Sequence, residues 1–585
     1  MSAVATAARP IAVTTILDTP SGPPTFIPRA FEAREAISQL FHAVLDVVVD
    51  RRAKFTFDQL LGSPVVVDLA DSQFRNTRFF HGLCRQVRQR GGDATFDYYA
   101  FDLVPQAWLL TKRTQSRIFQ QTTVPDILRK VLGGLDPAPS VELSGFQPRD
   151  YCVQYQEPDW DFACRLMEEE GIFYYFRHGA AGHKLVIGNS PGSHKDVPFN
   201  QQITLRASSS PAAGEDAITD FDKAQRVVSG RVTLWDHSFE LPHKHLEAER
   251  KILPKVAVGR ATHQLQYGDN WRWEIYTYPG GYADRFDGVT PGGGDRSADL
   301  RKIFEDNQRT ADIRMEQEAA TAVEVRGAST CRQLTPGCTF TLVTPPGDTV
   351  AAGLKADGAY VVTSVSHSAA SPAGQRSGTT EPFRYRNTFT AIPTGLPYRP
   401  PRVTPRPRVP GSQTAVVVGP KGQEIFTDKY GRVKVQFHWD REGKYDGGSS
   451  CWVRVATSWA GRRWGTTHVP RIGQEVVVDF LEGDPDRPII VGSVYNADQM
   501  PPYLGDGPDG RHQNDPKVSG VKSNSTPDGK GYNELRFDDT KGKEQVFLHA
   551  QGSHDLRVNA SSMTSVGGSA HLTVGGEKDG KKSGD

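Results

Sequence analysis

Cysteine is scarce: six residues in 585, at positions 84, 152, 164, 331, 338 and 451, with no CxxC pair and no zinc-ligand spacing. A disulfide scaffold is excluded, and the pattern predicts free thiols in a protein folded in the cytoplasm. An excess of charge is also missing. Lys+Arg 69 against Asp+Glu 68 leaves a net charge of +1, which argues against a chain built to coat nucleic acid. No segment reaches the ~18–20 apolar residues that cross a bilayer. The N-terminal MSAVATAARPIAVTTI lacks a basic start followed by an apolar run, so no secretory leader is expected and export must come from other machinery.

Catalytic signatures are missing as well. There is no HExxH, no GxSxG and no GxxxxGK[ST]. His243, His245 and Glu247 lack a third anchored ligand and read as a surface loop. Cys451 with His468 imitates a thiol–imidazole pair, yet Cys451 precedes Trp452 in an expected strand and reads as a buried structural thiol. The expectation is a non-enzyme with no catalytic residue, no cofactor and no metal.

Glycine and proline are plentiful instead. Gly 57 and Pro 40 exceed the usual ~12% share and favour a turn-rich β protein of several domains. Three helices are expected. Thr123 caps the first and Pro125 sits in its first turn; the second lies in EPDWDFACRLMEEEG; the third lies near Ala311–Ala320. Ile172 to Phe176 should be a strand, and GGYADRFDGVTPGGGD (280–295) an exposed loop. Seven prolines and four arginines (399, 402, 406, 408) between Pro393 and Pro410 read as a solvated linker, with anionic contact as the alternative. From Thr414 to Tyr495 the pattern alternates. Val433, Val435, Phe437 and Trp439 point one way and Lys434, Gln436 and His438 the other, as in a half-buried strand of a small OB-type barrel. Trp459, Arg462, Arg463 and Trp464 could stack single-stranded nucleic acid, but the balanced charge favours packing against a neighbouring subunit or domain.

The last segment repeats in eights. Leu548, Leu556, Thr564 and Leu572 form one column, and Ala550, Val558, Val566 and Val574 a second; Gly567, Gly568, Gly575 and Gly576 supply turns. Residues at i and i+2 of a strand share a face. One octad cannot bury its column alone, whereas three chains can close a triangular prism around it. A homotrimeric, intertwined β-helix is expected, with Leu548, Leu556, Leu572, Ala550, Val558, Val566 and Val574 inside.

RIFQQTTVPDIL, YCVQYQEPDWDFACRLMEEEGIFYYF, YPGGY and ADIRMEQEA, together with TAVVVGPKGQEIFTDKYGRVKVQFHWDREG, CWVRVATSWAG, PRIGQEVVVDFLEGDPDRPIIVGSVYNADQMPPY and NELRFDDTKGKEQVFLHA, resemble the VgrG (valine-glycine repeat) spike family of bacterial type VI secretion. The resemblance implies a mainly β multidomain chain. It would comprise a phage-tail-hub-like region of two β-barrels with a few helices (1–395), a Pro/Arg-rich linker (396–411), an OB-fold (412–500), a connector (501–534), the start of a triple-stranded β-helix needle (535–576) and a polar tail (577–585). It also implies a homotrimer on the hexameric Hcp tube, with a PAAR-repeat tip protein, baseplate components and non-covalently held effectors or adaptors as partners. Contact with the target membrane would be transient, and there would be no nucleic-acid partner. Assembly would occur in the cytoplasm, followed by translocation through the contractile apparatus without a signal peptide. A spike of another contractile injection system or phage tail is the nearest alternative. A cell-wall hydrolase hub and a single-stranded nucleic-acid-binding OB protein are more distant ones.

Overall fold

The computed structural model describes residues 10–17, 22–70, 76–199, 201–206, 216–346, 353–371, 383–504 and 515–574. They fall into two units, Met1–Val494 and Tyr495–Asp585.

The first unit is organised by one twelve-stranded sheet that curls at both ends. At one end, strands Thr339–Val343, Gln202–Leu205, Ala217–Gln225, Val323–Ser329, Arg384–Pro393 and Gly358–Ala370 pair in a ring, because the last two also pair with each other. Closure removes the free edges. Inward residues such as Ile203, Phe221, Val325, Phe340 and Phe389 fill the ring. At the other end, strands Ile11–Thr15, Pro64–Ala70, Thr77–Gly92, Phe96–Val104, His42–Asp50 and Ile27–Ala36 wrap Phe31, Leu45, Val67, Phe80 and Phe101. Ile27–Ala36 and Gly358–Ala370 pair antiparallel and join the halves.

A helical lobe packs beside them. Helix Val124–Val131 starts as its sequence dictates, with the Thr123 side chain accepting from Asp126 N and Pro125 in the first turn. Helix Asp159–Glu169 follows, then strand Phe173–His178, with Gly171 turning at φ 65° between them. The third helix runs Lys302–Ala319, nine residues longer at its start than the sequence pattern indicated. Its early turns bury the polar Asp306, Asn307 and Thr310, which an apolar-stripe reading passes over.

Two expectations are corrected. The 280–295 segment is a loop, but Tyr282, Ala283, Phe286 and Val289 are buried. The Tyr282 hydroxyl donates to the Leu234 and Leu246 carbonyls, pinning the loop to a sheet. The strand Lys434–Phe437 is buried on both faces. Lys434 is 1% exposed with its ammonium 5.1 Å from the Trp452 ring centroid, and Gln436 donates to the Asp440 carbonyl at 3.2 Å. Alternation marked the faces, but Trp452 and the barrel's own 440–445 loop cover Lys434 and Gln436, while His438 stays exposed.

The OB-type barrel has strand order Lys434–Phe437, Gln413–Val418, Glu475–Phe480, Pro488–Val494, Arg454–Val455, and the bridge Val433–Val453 closes it. In the second unit, Val518–Lys522, Glu534–Asp538 and Gln545–His549 form an antiparallel three-stranded sheet. From Ala550 to Val574 the described chain forms no strand within itself.

Candidate functional site

Two arrangements stand out among the described residues: an open apolar face in the second unit and a charged brace in the first. Register builds the face. Val521 pairs with Leu535 and Leu535 with Leu548; two residues along, Phe537 pairs with Val546. Period two puts all five on one side of the sheet. The opposite side is satisfied within the chain. Glu534 accepts from the Tyr503 hydroxyl at 2.8 Å, Arg536 lies over the Phe547 ring at 4.5 Å, and Lys522 over Tyr532 at 4.2 Å.

Among the described residues the apolar side is left partly open: Leu548 is 60% and Leu535 40% exposed. The octad columns continue the same way. Leu556 is 77% and Leu572 91% exposed, and Val558, Val566 and Val574 are exposed. Ala550 is half-buried. Gly567 and Gly568 have open space around them; Gly575 and Gly576 lie outside the described residues. One chain thus brings Leu548 beside Leu535 and leaves the other columns apart. Sequence reasoning missed Val521, Leu535, Phe537 and Val546. Their signal was the two-residue alternation of NELRFDD and EQVFLHA.

The brace joins hub to barrel. Strand Cys152–Pro158 and the residue before it serve two cores at once. Tyr151, Val153 and Tyr155 enter the barrel core beside Val417, Val435 and Phe437, while Cys152 faces the helical lobe. Around it, Glu170 meets three guanidiniums: Arg149, Arg309 and Arg285. Burial alone would raise the Glu170 pKa; Arg149, Arg285 and Arg309 reverse this and hold it well below the usual carboxylate range. The Pro/Arg segment belongs to this network and is not a solvated linker. Arg399 donates to Glu316 at 2.6 Å and to the carbonyls of Gly171 and Asn189. Arg406 bridges to Asp484 at 2.9 Å and Asp486 at 2.7 Å. Asp486 in turn accepts from Val153 N at 2.6 Å. Arg432 clamps Asp287 with both terminal nitrogens at 2.8 and 2.9 Å. The Trp452 indole donates to Thr290 O at 2.8 Å.

The remaining candidates take ordinary roles. Burial pushes the Cys451 thiol up to about 12, so it is protonated at neutral pH. His245 pairs with Glu247 at 2.5 Å, and among the described residues no group of three or more His, Cys, Asp or Glu is arranged to hold a metal. No helix of the described residues is long and apolar enough to cross a membrane.

A closed six-stranded ring joined to a second curled half-sheet and an OB barrel, followed by a strand-poor apolar tail, defines the hub-and-spike class of contractile-tail proteins. Comparison with known proteins carries this further. Residues 34–373 match the phage tail baseplate hub (GPD) family, 415–495 the type VI secretion system/phage-baseplate injector OB domain, and 519–584 the bacteriophage T4 gp5 C-terminal trimerisation domain. The type VI secretion system spike protein VgrG1b of Pseudomonas aeruginosa is 35% identical over 565 residues, covering 95% of this chain and 70% of the relative. In fold, the chain is similar to the E. coli c3393 protein, a type VI secretion component (TM-score 0.52, 21% identity, 82% of this chain and 99% of that one). It is also similar in fold to the half-lidded Francisella PdpA–VgrG complex (TM-score 0.53, 9% identity, 93% and 88%). The chain belongs to the VgrG family of type VI secretion system spike proteins.

Proposed function

We propose that three copies of this chain assemble through the second unit into the spike at the tip of the Hcp tube. The spike punctures the target membrane and carries effectors or adaptors held without a covalent link. A PAAR-repeat protein caps its needle, and baseplate components surround its hub. The uncovered face of Val521, Leu535, Phe537, Val546 and Leu548, continued by Leu556, Val558, Val566, Leu572 and Val574, carries this reading. Covering a Val, Leu or Phe side chain is worth about 1.5–3 kcal/mol. Among the described residues a single chain forgoes part of that gain at these positions, most at Leu556, Leu572 and Val574; a three-chain prism with the columns inside recovers it. The match of residues 519–584 to a trimerisation domain supports the same assembly. The PdpA–VgrG complex of similar fold supports the partner class.

The work on this reading is mechanical. Force from a contracting apparatus enters at the hub, and the brace passes it to the barrel through interlocked cores and buried ion pairs. The spike therefore needs stiffness and no chemistry of its own. The chain assembles in the cytoplasm and leaves through the apparatus.

Light scattering on the full chain and on a chain ending at Asn496 tests this. The full chain is expected at three times 64.4 kDa and the shortened chain at the mass of a monomer. A monomeric full chain, or a trimeric shortened one, overturns the proposal.

A further inference from the structure

The outer face of the twelve-stranded sheet carries a trough that neither the brace nor the apolar face uses. Lateral register sets it out. Asp220 pairs with Ala328, Ala328 with Thr388, Thr388 with Ser366, and Ser366 with Arg34, so five neighbouring strands hold these residues in one row. The row points away from the core, because Phe221, Phe389, Val365 and Ala33 at the alternate positions are buried. One flanking row sets Arg386 beside Ser368 and Ser368 beside Glu32; the other sets Asp222 beside Arg326 and Arg326 beside Thr390. Between its charged ends the central row holds only Ala, Thr and Ser. These short side chains leave two hollows of about 510 and 450 Å³ that share Ser366 and Thr388 as floor.

The two ends have opposite sign. Asp220 and Asp222 stand at one, where Arg326 is taken up by Glu324 at 2.6 Å. Arg34 and Arg386 stand at the other. There Glu32 faces Arg386 across Ser368, which leaves one positive charge in excess, and His42 beside Arg34 is taken up by Asp102 at 2.5 Å. Among the described residues the side chains of Asp220, Asp222, Arg34 and Arg386 have no hydrogen-bond or ion-pair partner, and the hydroxyls of Ser366, Ser368 and Thr388 are uncommitted too. Such ends complement a chain that brings a carboxylate to the arginines and a cation to the aspartates. The floor suits what lies between, because a hydroxyl both donates and accepts and so serves the N–H and C=O groups of a peptide backbone alike. Neighbouring strands lie ~4.8 Å apart, which puts Asp220 about 19 Å from Arg34. That is the span of about six extended residues.

We propose that this trough binds an extended peptide segment of a partner protein, with an acidic residue toward Arg34 and Arg386 and a basic one toward Asp220 and Asp222. The trough lies within one chain and within the first unit, so the inference goes beyond the spike reading and stands or falls apart from it.

The test uses the full chain and dye-labelled, end-blocked hexapeptides with a Gly/Ser middle, read by fluorescence anisotropy. One pair carries glutamate at one end and lysine at the other, in both orders; one control carries glutamate at both ends and one carries lysine at both. A mixed-charge peptide is expected to bind about tenfold more tightly than either control, and less tightly as salt is raised. Arg34→Glu with Arg386→Glu changes only exposed positions and makes both ends acidic. Mixed-charge binding should then fall about tenfold, and the lysine-ended control should become the tightest ligand. Asp220→Lys with Asp222→Lys should turn the preference to the glutamate-ended control. Equal binding of all the peptides, binding of none, or a preference that both charge swaps leave unmoved overturns the proposal. If citrate binds more tightly than any peptide and loses its affinity with Arg34→Glu and Arg386→Glu, the arginine end is a site for small anions and the peptide reading is wrong.

Discussion

The imidazoles of His81 and His183 face each other, Nδ1 to Nδ1, at 3.0 Å. Gln106 N donates to His183 Nε2 at 3.0 Å, so His183 carries its proton on Nδ1 and gives it to His81. The His81 amide donates to His178 Nδ1, which leaves His178 Nε2 to donate to Glu35 at 2.9 Å. His367 Nε2 and Arg78 reach the other Glu35 oxygen at 3.1 and 2.8 Å. These residues come from both ends of the great sheet and from the helical lobe. The network knots three cores, and its His183–His81 bond needs a neutral His81 Nδ1 to accept.

Acid should therefore loosen the hub. Burial lowers the pKa of His81, His183 and His367, that of His183 to about 3. Unfolded, a histidine titrates near 6.5. Below that pH the unfolded chain binds more protons than the folded one, so stability is complete above about 6.5 and falls as pH drops toward 3. For His183 the expected loss is about 1.4 kcal/mol per pH unit over that window, and His81 and His367 add in the same direction. Urea unfolding from pH 7.5 to 4 checks this, and His183→Asn should have the shallower slope. Equal slopes would remove the knot from the explanation.

Glu170→Gln should weaken the brace severely. The change leaves Arg149, Arg285 and Arg309 without their shared charge, and Arg149 and Glu170 are buried. Breaking such a pair from one side costs about 3–5 kcal/mol. Thermal unfolding of the full chain is the measurement, and a change below about 1 kcal/mol contradicts the role given to Glu170.

Arg406→Ala should act more gently. Its side chain is 40% exposed, so solvent screens its pairs with Asp484 and Asp486, and a loss of about 1–2 kcal/mol is expected. Hydrogen exchange at Val153, whose amide bonds Asp486, should rise with it. Unchanged protection there would mean the arginine only decorates the segment.

Val566→Asp should abolish the trimer while leaving the first unit folded. Three carboxylates would meet inside the prism with no partner. Native mass reports assembly, and near-ultraviolet circular dichroism reports the hub. A trimer of unchanged melting temperature would place Val566 outside the packed column.

Local rules decided much of this protein from sequence alone. Thr123 and Pro125 start a helix wherever they stand, because capping is satisfied within one turn. Alternation marked the barrel strands, and the octads of Leu548 to Val574 marked apolar columns that stay exposed among the described residues. Tertiary structure decided the rest. Lys434 and Gln436 read as solvent-facing until Trp452 and the 440–445 loop fold over them. Arg399 and Arg406 read as a wet linker until Glu316, Asp484 and Asp486 arrive from 80 or so residues away. His81, His178, His183 and His367 show no spacing that links them. The physical reason is common to all three: a charge or a hydrogen bond has no periodicity along the chain, so its partner is known only once the fold has brought distant segments together.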